Sequence, residues 1–333
     1  MAERKFDVVG IGNAVVDIIA RCEESFLSKH DLAKGFMRLI DAAEANRLYE
    51  AMGPAVERSG GSVANSIAGL ASFGGKCGFI GRVAADQFGG IFRHDIRSLG
   101  VDYDTLPATD GAPTARCLIL VTPDGERTMN TFLGAAQDLR PSDIDEQQIA
   151  AAEVVYLEGY LWDPPQAKEA FVKAAGIAHK NGRRVALTLS DAFCVDRYRG
   201  EFLDLIRKGT VDIVFANEHE LRSLYETSDF ESGAKALRDD ARLAVVTRSE
   251  KGCVVIAKDG MTAVPAAPIS QVADVTGAGD LFAAGFLVGL ARGKDLKTAA
   301  RLGGLAAAEV IQHIGARPAV SLKALAAESG LAV

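Results

Sequence analysis

The sequence predicts an α/β protein with a mostly parallel sheet and a second, smaller β-sheet. Strands and helices alternate in the second half of the chain, whereas the first half holds several strand-like segments separated by turns. The chain has 333 residues, of which 48% are hydrophobic and 24% charged, so it can bury a sizeable core. We expect a single chain, 1–333, with its large α/β part mainly in 50–110 and 140–333.

Four short segments rich in β-branched residues predict the parallel strands of the large part. They are 154–157, 185–189, 211–215 and 243–247. Helix-like segments such as 166–180 and 231–239 lie between them, and this alternation is typical of βαβ units. Ligands bind beyond the carboxyl ends of such strands. The residues that follow the four strands therefore mark the expected site: Glu158, Gly159, Ser190, Asp191, 216–218, Arg248 and Ser249.

The first half of the chain predicts the smaller sheet. Its strand-like segments are 6–12, 15–20, 36–40, 114–121 and 128–133. We expect strands within about 12–48 and 112–136 to form a small β-sheet lid over the strand ends of the large part.

Composition excludes several classes of function. The net charge of −7 argues against binding to nucleic acid, which needs clustered Lys and Arg. The longest uncharged apolar run, 281–291, is too short to span a membrane. The five Cys and five His residues show no metal-ligand spacing. No signal-peptide core is evident, so we expect a cytoplasmic protein.

The segment 274–280, with the sequence Asp-Val-Thr-Gly-Ala-Gly-Asp, carries the strongest chemical signal. Small residues allow a tight turn with bare N–H groups, and an apolar helix follows at once. Asp280 at such an anion site suits a base that takes a proton from a hydroxyl while the amides hold a phosphoryl group. The alternative is a glycine-rich loop that Asp280 merely caps.

A second constellation lies near the beginning of the chain. Gly60 and Gly61 precede a predicted helix with Ser62 and Asn65 on its first turn, where a ligand can approach closely. Asp17 interrupts an apolar strand, and sugar hydroxyls would satisfy its carboxylate if it is buried. The alternatives are a simple helix cap and an edge-strand Asp17 that faces water.

Together these motifs resemble the ribokinase (PfkB) family of carbohydrate and nucleoside kinases. Residues 60–89 resemble its N-terminal signature, 274–287 its C-terminal signature, and 217–220 its Asn-x-x-Glu motif. The resemblance implies a ribokinase-like three-layer α/β/α fold with a doubly wound sheet and a lid. It also implies that Asp280 is the catalytic base and that the amides of Gly277, Ala278 and Gly279 stabilise the transferred phosphoryl group.

The resemblance further implies ATP and Mg²⁺ as cofactors. Asn217 and Glu220 would organise Mg²⁺ through water, and Asp274, with the backbone near His313 and Gly315, resembles a monovalent-cation loop for which K⁺ is the candidate. Ser249 departs from the glycine that the family often has there, which affects the expected nucleotide contacts. The expected nucleotide-binding residues are Asn217, Thr247, Ser249, Gly252, Thr276, Gly279 and His313.

Within the family, the sequence is closer to adenosine kinases than to ribokinases around 12–17, 156–162 and 189–193. We therefore expect ATP-dependent phosphorylation of the 5′-hydroxyl of adenosine, which gives AMP and ADP. The alternatives are another nucleoside, a free sugar such as ribose or fructose, or a catalytically silent nucleoside-binding protein. The oligomeric state is left open. The expected substrate-binding residues are Asn13, Asp17, Met37, Leu39, Gly60, Gly61, Ser62, Asn65, Leu133, Ala136 and Phe193.

Overall fold

The fold is built from two sheets and the helices that cover them. The computed structural model describes residues 3–333, and residues 1 and 2 lie outside it. The strands are β1 (Phe6–Ile11), β2 (Val15–Arg21), β3 (Met37–Leu39), β4 (Ala55–Gly60), β5 (Cys77–Ile80), β6 (Ala115–Val121), β7 (Arg127–Phe132), β8 (Ala152–Glu158), β9 (Arg184–Thr188), β10 (Ile213–Asn217), β11 (Leu243–Thr247), β12 (Cys253–Ala257) and β13 (Gly260–Val264).

The α-helices connect these strands and follow them at the end of the chain. They are α1 (Glu24–Lys29), α2 (Ala42–Ala51), α3 (Ser62–Ser72), α4 (Gln87–Ser98), α5 (Glu146–Ala150), α6 (Pro165–Lys180), α7 (Ala192–Arg207), α8 (Glu218–Tyr225), α9 (Phe230–Asp240), α10 (Ala278–Ala291), α11 (Leu296–Val310) and α12 (Leu322–Glu328).

The large sheet has eight strands in the order β13-β12-β11-β10-β9-β8-β1-β5. The strands from β11 to β5 are parallel, whereas β12 and β13 form an antiparallel edge. Because β8, β9, β10 and β11 are adjacent and parallel, their carboxyl ends meet at one edge of the sheet, as the sequence predicts.

Apolar cores lie on both faces of the large sheet. On one face, Phe286 of α10 packs edge-on against Phe215 of β10, with ring centroids 5.5 Å apart. On the other face, Phe171 of α6 and Val214 belong to a separate cluster. Burial of each such side chain contributes about 1.5–3 kcal/mol, so the helix–sheet–helix layers are held by both cores. The predicted α/β class with a mostly parallel sheet and a second small sheet is confirmed.

The small sheet has five strands in the order β3-β7-β6-β2-β4. Two expectations about strand membership are wrong. Residues 6–12 were expected in the small sheet, but β1 lies in the large sheet between β8 and β5. Residues 55–60 were expected in the large part, but β4 pairs with β2. Strand partners depend on contacts distant in sequence, and β1 and β2 are both apolar strands that only residues 12–14 separate.

Among residues 3–333, no helix combines the length and the apolar character that a membrane span requires.

Candidate active site

The N-terminus of α10 provides a backbone site for an anion. Gly277 is its N-cap with a φ of 80°, and a Cβ there would lie 2.7 Å from the Cβ of Ala316, so the position requires glycine. Within residues 3–333, the N–H groups of Gly277 and Gly279 donate to no backbone carbonyl. The N–H of Ala278 donates to the carbonyl of Val275 at 3.2 Å, so it is already engaged, contrary to expectation.

Asp280 lies on the first turn of α10 and not at its cap, so the reading of this residue as a simple N-cap is wrong. Its Oδ1 accepts a hydrogen bond from the Ser62 hydroxyl at 2.6 Å. Its Oδ2 accepts one from the Asn65 amide at 3.0 Å. Both donors belong to the first turn of α3, so this carboxylate joins the N-termini of two helices.

Two glycines make this approach of α3 sterically possible. A Cβ on Gly60 would lie 2.4 Å from the Asp17 carboxyl carbon. Gly61, the N-cap of α3, has a φ of 102°, and a Cβ there would lie 2.2 Å from the backbone oxygen of Asn13. Glycine is therefore required at both positions, because any side chain would push α3 away from Asp17 and Asn13.

The environment of Asp280 suits a general base. Burial raises its pKa to about 6, and this rise is opposed by the hydrogen bonds from Ser62 and Asn65 and by the charge of Arg317. A carboxylate with a pKa in this range is largely ionised at neutral pH, yet it is more basic than an ordinary aspartate.

Asp17 lies on β2, between β6 and β4 in the interior of the small sheet, so the edge-strand interpretation is wrong. Burial raises its pKa to about 6, although the charges of Arg317 and Arg127 oppose the rise. No residue in 3–333 donates a hydrogen bond to this carboxylate. A ligand with hydroxyl groups would supply the missing donors.

Two buried amide oxygens lie beside these carboxylates. The Oδ1 atoms of Asn13 and Asn65 have no hydrogen-bond partner in the part of the chain that the structure describes. A buried acceptor without a donor costs about 1–3 kcal/mol, so both atoms are suited to the hydroxyl or amine donors of a bound molecule.

Glu158 was expected near the site only from its place at a strand end, and Arg317 was not expected there. Glu158 ends β8 and accepts hydrogen bonds from the Asn13 amide at 2.7 Å and from the Val63 N–H at 2.9 Å; burial raises its pKa to about 7. Arg317 is half-buried and donates to the Ala64 carbonyl at 3.1 Å, and loss of solvation lowers its pKa to about 10. The position of Glu158 at a strand end was a usable signal, but no motif marks Arg317.

The Asn217–Glu220 pair forms a capping box on α8. The Asn217 side chain accepts from the Glu220 N–H at 2.9 Å, and Glu220 Oε2 accepts from the Asn217 N–H at 2.9 Å. Burial raises the pKa of Glu220 to about 7, and the nearby Asp191 charge adds to the rise. The capping interpretation therefore holds. The carboxylate oxygens also match the ligands that Mg²⁺ prefers, and because Asn217 occupies them a water-bridged contact fits best.

In segment 247–252, Ser249 adopts a backbone conformation that favours glycine, the residue that the family often has at this position. Ser249 has a φ of 51°, in the left-handed region that glycine adopts at no steric cost. Gly252 has a φ of 82°, and a Cβ there would lie 2.1 Å from the Val264 oxygen. Thr247 ends β11 beside Asn217, so the two expected nucleotide-binding segments adjoin.

The expected monovalent-cation residues are already paired with protein groups. Asp274 is buried and accepts from the N–H groups of Thr276 and Gly315, both at 2.9 Å, and from the guanidinium of Arg127. His313 contacts Glu309 at 3.1 Å.

The apolar residues expected to bind the substrate are only partly accessible to a ligand. Met37, Leu39 and Phe193 expose 48%, 61% and 68% of their surfaces, and Leu133 is half-buried, so these four can contact a ligand. Ala136 is fully buried among small-sheet side chains and offers no surface to a ligand, so that expectation is wrong.

Residues 8–323 match the pfkB family carbohydrate kinase domain. The chain belongs to the pfkB family of carbohydrate kinases. It is therefore a phosphotransferase with an alcohol group as acceptor, and the ribokinase-like fold is confirmed.

Relatives of this kinase carry several substrate names. The adenosine kinase from Sinorhizobium meliloti is 54% identical with a TM-score of 0.90, over 98% of this chain and 99% of that one. A probable sugar kinase from Rhizobium etli CFN 42 is also 54% identical, with a TM-score of 0.92 over the same shares. An ATP-dependent ribose-1-phosphate kinase from Halopiger xanaduensis is 31% identical over 89% of this chain and 96% of its own length. The names of these relatives differ in their acceptors, so family membership does not fix the acceptor of this kinase.

Proposed function

We propose that this kinase transfers the γ-phosphoryl group of ATP to the 5′-hydroxyl of adenosine, which yields AMP and ADP. The observation that carries the proposal is the carboxylate of Asp280, held by Ser62 and Asn65 beside the open N–H groups of Gly277 and Gly279. Base and anion site thus lie on the same helix turn.

The chemistry follows from that geometry. Asp280 accepts the proton of the hydroxyl as its oxygen attacks the γ-phosphorus, and the bond from this phosphorus to the β–γ bridging oxygen breaks. The open amides and the positive end of α10 stabilise the charge on the phosphoryl oxygens. A positioned base contributes roughly 10²–10⁴-fold in rate.

Unpaired polar atoms support a polyhydroxyl acceptor. Asp17 lacks hydrogen-bond donors, and the Oδ1 atoms of Asn13 and Asn65 lack partners. Asn65 donates to Asp280, and the charge of Asp280 acts on Asp17. Asn13 donates to Glu158, on which the charge of Asp280 also acts. The 2′- and 3′-hydroxyls of a ribose would donate to Asp17 and to one of the amides while the 5′-hydroxyl faces Asp280.

Exposed apolar side chains support a nucleoside over a free sugar. Phe193 lies on the first turn of α7, beyond the carboxyl end of β9, and Arg197 lies over its ring at 5.6 Å. Met37 and Leu39 are exposed on the edge strand of the small sheet. A purine gains stacking energy from such surfaces and a free sugar gains little. The likeness to the Sinorhizobium meliloti adenosine kinase points to the same acceptor.

Kinases of this family use ATP with a divalent metal. Mg²⁺ would be held near Glu220 and Asn217 through water, where it would neutralise charge on the phosphates. Thr247, Ser249, Gly252, Thr276 and His313 would line the nucleotide site.

The direct test is turnover with different acceptors. ADP release would be measured with adenosine, inosine, guanosine, cytidine, ribose, fructose and ribose 1-phosphate, and the product with adenosine would be identified by phosphorus NMR. We expect the highest kcat/KM with adenosine. A higher value with ribose or ribose 1-phosphate would overturn the assignment.

The rate should fall in acid as Asp280 becomes protonated. Its pKa is raised to about 6, so the reactive carboxylate is present above that pH and is lost below it. The value of kcat/KM should drop about tenfold per pH unit below this point. In Ser62→Ala, the charged form of Asp280 loses a hydrogen bond, so the pH at which kcat/KM begins to fall in acid (the acid limb) should rise by about one pH unit. Ser98→Ala, an exposed control on α4, should not move it, and an unmoved limb in Ser62→Ala would contradict the assignment.

Phe193→Ala tests the stacking contact. The side chain is 68% exposed, so the fold should be retained. Loss of base stacking, worth about 1–3 kcal/mol, should raise the Kd for adenosine by roughly 5- to 150-fold. Calorimetric titration with adenosine and with ribose measures this change, and equal losses for both ligands would count against the contact. Leu106→Ala, at another exposed apolar residue, is the control.

A further inference from the structure

Arg127 and Asp274 form a buried ion pair between the small sheet and the loop that leads into α10. The Arg127 side chain is 7% exposed and the Asp274 side chain 5%. Arg127 begins β7, and Asp274 lies three residues before Gly277. The pair therefore lies at the base of the anion site.

The residues at this position do not fit a bound monovalent cation. Oδ1 of Asp274 accepts from the Thr276 N–H, and Oδ2 accepts from both the Gly315 N–H and the Arg127 guanidinium. The Ile311 carbonyl, a further oxygen of this segment, accepts from the N–H groups of Ala273 and Asp274. Arginine is always protonated, so a second cation here would meet a fixed positive charge at close range.

The same ion pair connects two backbone segments that shape the anion site. Asp274 holds Gly315 directly, and the next residue, Ala316, is the one against which Gly277 packs without a Cβ. A shift of either segment would move the N–H groups of Gly277 and Gly279. A bound cation could hold these segments together, and here a guanidinium from the small sheet is in position to do so.

We propose that Arg127 takes the place of a monovalent cation at Asp274, so that this kinase transfers phosphoryl groups without K⁺. Arg127 is a positioning residue that acts through Asp274 on the loop before α10. The proposal rests on phosphoryl transfer at this site but not on adenosine as the acceptor.

The first test compares the wild-type enzyme in potassium chloride and in choline chloride, each at an ionic strength of about 0.1 M. We expect kcat to differ by less than about twofold and the unfolding temperature to be the same in both salts, since a ligand that does not bind leaves stability unchanged. A tenfold or larger loss of kcat in choline chloride would overturn the proposal. The unfolding measurement needs no acceptor, so it stands even if the proposed substrate is wrong.

The second test removes the guanidinium. Arg127→Ala leaves the buried Asp274 charge unpaired, and misplacement of the loop by about 1 Å should lower kcat by about 100-fold in choline chloride. Potassium chloride should restore the kcat of this variant to at least a tenth of the wild-type value. It should also raise the unfolding temperature of this variant. Arg127→Lys keeps the positive charge and should show no gain from K⁺.

A control separates this effect from simple loss of an ion pair. Arg82 donates to both carboxylate oxygens of Asp143 away from the loop before α10, and Arg82→Ala should lower stability without creating a response to K⁺. If Arg127→Ala responds to K⁺ no more than the wild type does, in kcat and in unfolding temperature, the proposal is wrong. Should Arg127→Ala fail to fold, the wild-type comparison and Arg127→Lys still decide it.

Discussion

Replacement of Asp280 by asparagine is expected to lower kcat by roughly 10²–10⁴-fold while adenosine still binds. The amide keeps the shape of the side chain and can accept from Ser62, but it cannot take up the proton of the attacking hydroxyl. Stopped assays for AMP give kcat, and calorimetric titration gives the Kd for adenosine.

The fold of this variant should be at least as stable as the wild type at neutral pH. Burial raises the pKa of Asp280, which means that the charged form is disfavoured in the folded state and that its removal relieves a cost. The matched control is Asp295→Asn, at the exposed N-cap of α11, where asparagine caps equally well. Wild-type turnover in Asp280→Asn would remove this residue from the mechanism.

Gly279→Ala is expected to lower kcat/KM by about 100-fold or more without loss of stability. A Cβ at this position meets no protein atom within 4 Å, so the native fold accommodates it. It would stand beside the open N–H group of the same residue, where the phosphoryl oxygens must approach. Thermal unfolding and steady-state kinetics with varied ATP separate the two effects.

Two other glycines provide the comparison. Gly277→Ala should unfold at a lower temperature, because a left-handed alanine costs about 1–2 kcal/mol and its Cβ would collide with Ala316. Gly176 lies within α6, where a Cβ would have open space. Gly176→Ala should therefore lower neither the unfolding temperature nor kcat/KM. Full activity in Gly279→Ala would show that the phosphoryl group does not approach these amides.

Local sequence patterns predicted much of the fold. The four parallel strands predicted in the second half fall within two residues of their expected limits, because β-branched runs between helical segments encode strands at short range. The antiparallel edge strands β12 and β13 were not predicted. The helix after Gly61 begins as expected, since glycine tolerates the backbone at its N-cap. The apolar helix expected after Asp280 begins three residues earlier, at Ala278, so that Asp280 lies on its first turn. Strand partners were less predictable, and β1 and β4 were placed in the wrong sheets because pairing depends on the whole chain.

The sequence by itself determined the fold class, the family motifs and the candidate base, because turns, helix starts and strand runs are set by neighbouring residues. Only the tertiary structure decided how the site is assembled. Asp280 and its donor Ser62 are 218 positions apart, and Arg127 and Asp274 are 147 apart. Contacts at that separation exist only once both sheets and their helices have packed. They also set the electrostatics, since burial, the hydrogen bonds from Ser62 and Asn65 and the charge of Arg317 together set the pKa of Asp280.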